Sequence, residues 1–214
     1  DMSDRTIERE SLLPEEFAYA DEMVPGLGAD LKYCGSHNFV GEPVDGYEAP
    51  RVIATRAAAE ALGAVQAELA LFGLGLRIYD AYRPQRAVNH FIRWARDERD
   101  LSTQQEFYPG RRKQQLFDEG YIARRSSHTR GSTFDLTIIT LDEDNALEMG
   151  TDFDFFGPES WPQWGGATQA QRNNRMLLRA VMGKHGFAPQ DWEWWHFTLI
   201  DEPFPDTYFD FPVR

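Results

Sequence analysis

SSHTRGSTFDLTIIT, Ser126 to Thr140, is a turn running into a strand. Thr129-Arg130-Gly131-Ser132 carries the turn signal, and FDLTIIT, from Phe134, has the composition of a β-strand. Alternation sends Asp135, Thr137 and Ile139 to one face and Phe134, Leu136 and Ile138 to the other. His128 and Asp135 are seven positions apart, so on one continuous strand they would face opposite ways. They can share one metal only if the chain bends between them. Gly131 is where that bend is cheapest, because it has no Cβ to clash at positive φ. A carboxylate in an apolar strand is costly unless it is paired or bound to metal. A surface loop with a solvated histidine, followed by an ordinary strand, accounts for this stretch as well. The remainder of the chain decides between the two.

The chain has 214 residues, enough for one domain with a substantial core. A net charge of -13 argues against nucleic acid and against an anionic membrane surface as partners. Cys34 is the sole cysteine, which rules out an intrachain disulfide framework and a CxxC metal site. No run of about 18 apolar residues is present to span a membrane. The start, Asp1-Met2-Ser3-Asp4, is acidic and has no apolar signal core, so a cytoplasmic protein is expected.

Upstream of the opening stretch, residues 1–30 read as an irregular, partly extended lead-in, and residues 31–214 as the domain proper. Leu31 to Val40 suggests a strand and loop, and Gly41 to Arg51 is rich in turn residues. Ala, Leu and Glu dominate from about Ile53 to Phe72, predicting a helix that Gly73 and Gly75 stop. Leu76, Ile78 and Asp80 alternate with Arg77, Tyr79 and Ala81 in a strand that Pro84 ends. A second helix fits Gln85 to Arg99, a short one Arg112 to Glu119, and a third Thr168 to Lys184. WEWWHFTL, Trp192 to Leu199, reads as the last strand before a Pro-rich tail. These elements predict a compact α+β domain: a small, mainly antiparallel central sheet flanked by helices.

Chemistry has few places to reside. Of five histidines, none begins an HExxH zinc motif. His90 and His185 fit structural roles in and after helices, and His37 lies in a loop. His196 stands in WEWWHF, three residues after Glu193. Both face one cavity if Glu193 lies in the preceding turn and His196 on the strand. Trp192, Trp194 and Trp195 would then pack around the site; an aromatic core strand with a chance acid is the competing reading. Taken together, His128, Asp135 and His196 offer two imidazoles and a carboxylate. Three protein ligands with an open fourth position mark a catalytic zinc site, where bound water becomes a nucleophile. Glu193 is placed to take that water's proton. Arg83, in YDAYRP with Asp80 three residues earlier, is a candidate oxyanion partner; a surface ion pair is the alternative.

These motifs together resemble the zinc D-alanyl-D-alanine dipeptidases of vancomycin resistance and cell-wall recycling. Their SxHxxGxxxD is similar to Ser126, His128, Gly131 and Asp135; their EWWH to Glu193–His196; their DAYRP to Asp80–Pro84. HNFVGEPVDGY (37–47) and MGTDFDFF (149–156) favour this branch over related D,D-carboxypeptidases, L,D-endopeptidases and hedgehog domains. The resemblance runs from about Leu31 to the end. It implies one Zn2+ per chain on His128, Asp135 and His196, Glu193 as general base and acid, and Arg83 polarising the scissile carbonyl. It further implies that Tyr33, Ser126 and Asp154 hold the ends of a small dipeptide, and it leaves a homodimer open. Ser36-His37 stands where the family often has Trp-Asp, and Phe134 is bulkier than expected beside Asp135. A peptidase for longer wall peptides and a non-catalytic zinc module are the rival expectations.

Overall fold

The computed structural model describes residues 13–214. The acidic start at Asp1–Asp4 therefore lies outside the described residues. Seven strands and six helices follow in the order β1 (Phe17–Tyr19), α1 (Ala20–Met23), β2 (Gly28–Ala29), β3 (Ile53–Thr55), α2 (Arg56–Ala70), β4 (Leu74–Asp80), α3 (Gln85–Arg96), α4 (Gln104–Phe107), α5 (Lys113–Asp118), β5 (Thr133–Thr140), α6 (Gln169–Lys184), β6 (Phe187–Pro189) and β7 (His196–Leu199). Five strands form one sheet in the order β2-β4-β5-β7-β6, and β1 pairs with β3 in a two-stranded ribbon. Only β2 and β4 run parallel in the main sheet; its other pairs are antiparallel. The domain is α+β, with a mainly antiparallel sheet and flanking helices.

One face of the sheet is apolar. Register sets Leu76 opposite Ile138, Ile78 opposite Leu136, and Phe134 opposite Phe197. All six are buried, and they join Leu62, Val65 and Leu69 of α2 and Leu178 and Met182 of α6 in a single core. Phe134 packs its ring edge-on to Phe187 on this face, so its bulk points away from Asp135.

The alternation expected of β4 breaks at its end. The register with β5 shifts between Ile78 and Asp80, so that Asp80 lies opposite Asp135. A regular ladder would have kept Asp80 on the apolar face with Leu76 and Ile78, and the bulge turns it to the other. Across the next pair, Asp135 lies opposite His196. Three polar side chains thus form a row across β4, β5 and β7 on the face that the core does not use.

Several local expectations give way. Residues 53–55 are not the start of the helix but strand β3, as suits an Ile-Ala-Thr run with a partner in β1. Thr55 then caps α2, accepting a hydrogen bond from the Ala58 amide, which is why the helix begins at Arg56. Leu31–Val40 forms no strand; Lys32–Cys34 is a 3-10 turn. Buried Asn38 organises the loop after it, donating to the carbonyls of Lys32, Gly35 and Glu42 and accepting from the amides of Val40 and Gly41. The described part of the lead-in, from residue 13, holds β1, α1 and β2 rather than irregular chain. Of WEWWHFTL only His196–Leu199 is strand; the preceding residues form the turn that delivers Glu193.

The C-terminal segment folds back over the start of α3. Phe17, Tyr82, Phe204, Phe209 and Phe211 build a small aromatic cluster, with Tyr82 and Phe211 stacked at 4.1 Å. The Phe209 amide donates to the Thr129 carbonyl, the Gln85 amide to the Phe209 carbonyl, and the Tyr82 hydroxyl to the Phe211 carbonyl.

Candidate active site

A cavity of about 280 Å³ opens on the polar row, lined by Tyr33, Arg83, Ser126, His128, Asp135, Asp154, Glu193 and His196 among others. Eight of the nine residues singled out from sequence share its wall. Asp80, the ninth, sits behind Arg83.

His128 arrives from a 3-10 turn, Ser127–Arg130, which Gly131 ends at φ +94°. A Cβ on Gly131 would lie 2.6 Å from the Phe17 ring, so glycine is required there twice over. This bend turns His128 back over β5 to meet Asp135. The His128 Nδ1 is 2.8 Å from the Ala81 carbonyl, which assigns the ring hydrogen to Nδ1 and leaves a lone pair on Nε2. That Nε2 is buried and makes no hydrogen bond. It lies 3.0 Å from Asp135 Oδ2, an acceptor facing an acceptor. The Asp135 Oδ1 in turn is 3.1 Å from His196 Nδ1. Donor atoms of the three residues all fall within 4.8 Å of one another. Two imidazoles and a carboxylate aimed at one point, with a buried lone pair otherwise orphaned, fit a divalent metal of the zinc class.

Around the row stand the groups that would act on a substrate. Glu193 Oε2 is 3.6 Å from His196 Nδ1. Burial pushes its carboxyl up to about 8, with His196 opposing and Asp135 adding to the rise. Arg83 is clamped on several sides: Nε lies 3.0 Å from Asp80 Oδ2, Nη2 2.9 Å from the same oxygen, and Nη1 3.3 Å from Ser126 Oγ. The Tyr47 hydroxyl holds the other oxygen of Asp80 at 2.7 Å. Ser126 also accepts from the His128 amide, so one hydroxyl links the arginine to the turn that carries His128. Opposite, the Tyr33 hydroxyl donates a short hydrogen bond to Asp154. Burial raises the Asp154 carboxyl well above its ordinary value, and Asp135 adds to the effect. Such a carboxyl gains most from a cation brought beside it.

The tryptophans divide. Trp192 lines the cavity, whereas Trp194 and Trp195 lie behind it, Trp194 donating to Thr151 and Trp195 packing on Phe153. The remaining histidines stay out: His90 lies between Glu42 and Asp45, His185 pairs with Glu68, and exposed His37 pairs with Glu106. Sequence reasoning missed Tyr47, Ser127, Tyr121 and Gln190. Tyr47 closes the quoted stretch HNFVGEPVDGY and Ser127 lies inside SSHTRG, so both had a signal; Tyr121 and Gln190 had none.

Comparison with known proteins agrees with this geometry. The sequence pattern of the D-ala-D-ala dipeptidase family matches residues 14–214. The chain is 46% identical over 197 residues to a D-alanyl-D-alanine dipeptidase of Enterococcus faecalis, covering 92% of this chain and 98% of that protein. Identity is 44% to the D-alanyl-D-alanine dipeptidase of Streptomyces coelicolor over the same shares of the two chains. It is 33% to that of Escherichia coli K12, over 83% of this chain and 81% of the other. With a cavity built on His128, Asp135 and His196 and a match across nearly its whole length, this chain belongs to the D-ala-D-ala dipeptidase family of peptidases.

Proposed function

We propose that this chain hydrolyses D-Ala-D-Ala, with a zinc ion held by His128, Asp135 and His196. What carries the reading is the row of Asp80, Asp135 and His196 across three strands, closed by the orphaned Nε2 of His128. The metal, when bound, supplies a more acidic water and Lewis-acid pull on the peptide carbonyl.

The chain's own residues do the rest. Glu193 accepts a proton on its carboxylate as water attacks, then returns it to the nitrogen that leaves. Its raised carboxyl suits a group that must both take and give a proton near neutral pH. Arg83 donates to the carbonyl oxygen as negative charge develops there. Asp80 keeps that guanidinium aimed, and Tyr47 keeps Asp80 aimed. Asp154 and Tyr33 take the substrate's free ammonium group in a charge-assisted contact. Ser126 holds the other end of the dipeptide. The small cavity, near the lower bound for ligand pockets, favours a dipeptide over a longer wall peptide. A cytoplasmic setting belongs to the same reading, and one cysteine with no disulfide partner is at home there. Among the described residues, no helix is long and apolar enough to cross a membrane.

Steady-state hydrolysis of D-Ala-D-Ala, L-Ala-L-Ala and a D-Ala-D-Ala-terminated pentapeptide by the zinc-loaded protein tests this. Preference for D-Ala-D-Ala is expected. Preference for the pentapeptide would overturn the dipeptidase reading, and no hydrolysis of any of them would leave a zinc-binding module.

A further inference from the structure

Arg175 occupies a core position on α6, in line with buried Leu178 and Met182, and is only 3% exposed. A buried guanidinium is costly unless its donors are satisfied. Among the described residues no carboxylate forms an ion pair with it. Its fork instead meets three carbonyls: Nε to Met149 at 2.5 Å, Nη1 to Trp161 at 2.6 Å and Nη2 to Glu159 at 2.7 Å. Those carbonyls are the two ends of one loop, 149–161. Gly150, at φ +98°, makes the approach feasible, since a Cβ there would stand 2.8 Å from Nη2.

That loop carries Asp154, held at φ +62°, where a residue other than glycine is strained. It is also bonded to the turn that carries Glu193. The Trp194 indole donates to Thr151 Oγ1 at 2.8 Å, and the Trp194 amide to the Ser160 carbonyl at 3.0 Å. Thr151 and Ser160 hydroxyls are 2.9 Å apart, joining the two arms of the loop. Arg175 itself lines no part of the cavity. A planar fork can draw three carbonyls together; an ammonium is a single point.

We propose that Arg175 is a positioning residue: by closing the 149–161 loop it fixes Asp154 for the substrate's ammonium group and so sets the preference for a free amino terminus. This rests on the reading of Asp154 given above. The test compares kcat/KM for D-Ala-D-Ala and for propionyl-D-Ala, which lacks the ammonium, with zinc content measured in each variant. Arg175→Lys should lower kcat/KM for D-Ala-D-Ala about 100-fold, mainly through KM, and for propionyl-D-Ala by no more than about threefold. Asp154→Asn should do the same, and the double variant should lose no more than Asp154→Asn alone. Equal losses on both substrates, or losses that multiply in the double variant, would overturn the proposal. Should Arg175→Lys not fold, Arg175→Gln, which buries no charge and keeps an amide donor for the loop carbonyls, is read by the same substrate ratio. A wild-type enzyme indifferent to the ammonium would instead bring down the reading of Asp154, and this inference with it.

Discussion

Asp135 and His196 are positioned by different means from Tyr33, Ser126 and Asp154. Asp135 and His196 sit opposite each other on paired strands, so backbone ladders fix their separation before any side chain is considered. Tyr33, Ser126 and Asp154 sit on turns and loops, where side chains must do what the ladder does elsewhere. Asn38 gathers the loop after Tyr33, the Ser126 hydroxyl caps its own turn, and Arg175 ties the Asp154 loop. Under the roles proposed above, paired strands fix Asp135 and His196, while turns carry His128, Glu193 and Arg83 as well as Tyr33, Ser126 and Asp154.

The comparison can be broken by experiment, since changes to the proposed metal and reaction groups should fall on metal content and kcat, and changes to the loops of Tyr33 and Asp154 on KM. Removing metal with a chelator should abolish hydrolysis, and added zinc should restore it; full activity after verified metal loss would sink the zinc reading. Glu193→Ala should keep its zinc and lose about 10⁴-fold in kcat, measured with metal analysis alongside. Arg83→Lys keeps charge but not the fork that spans Asp80 and Ser126, and kcat should fall about 10²-fold at unchanged zinc occupancy. Asn38→Ala should lower stability by about 3 kcal/mol, read from denaturant unfolding, and raise KM while leaving kcat within a factor of a few. Tyr47→Phe removes one hydrogen bond to Asp80 and should cost about 1 kcal/mol of transition-state stabilisation, the smallest effect of the set. An Asn38 variant with normal KM and low kcat would dissolve that division.

Much of the sheet-borne part of the site was legible in the sequence, because strand periodicity and turn glycine are local signals. FDLTIIT lies within β5, and Gly131 bends the chain as its place between His128 and Asp135 requires. What local signals could not supply was register. Alternation put Asp80 with Leu76 and Ile78; only the bulge opposite Leu136 and Asp135 brings it round, and no residue type marks that slip. The same holds for Ile53–Thr55, whose strand exists because β1 pairs with it, while the Ala-rich run behind it favours helix. Arg175 was invisible for the opposite reason. An arginine in a polar helix of sequence RNNRMLLR looks like a solvated face, and only burial against three carbonyls gives it a task. Trp194 and Trp195 looked like cavity walls and turn out to be buttresses.

The C-terminal segment bears on all of this from the outside. The Phe209 amide grips the carbonyl of Thr129, one residue from His128, and the Phe211 carbonyl receives the hydroxyl of Tyr82, one residue from Arg83. The C-terminal segment therefore acts as a splint laid at once across the two turns that carry His128 and Arg83. Proteolytic nicking near Phe209, or a bulky fusion that lifts Phe211 off Tyr82, would loosen both turns without touching a single group inside the cavity. Tail integrity is thus a second way to read whether the site is assembled.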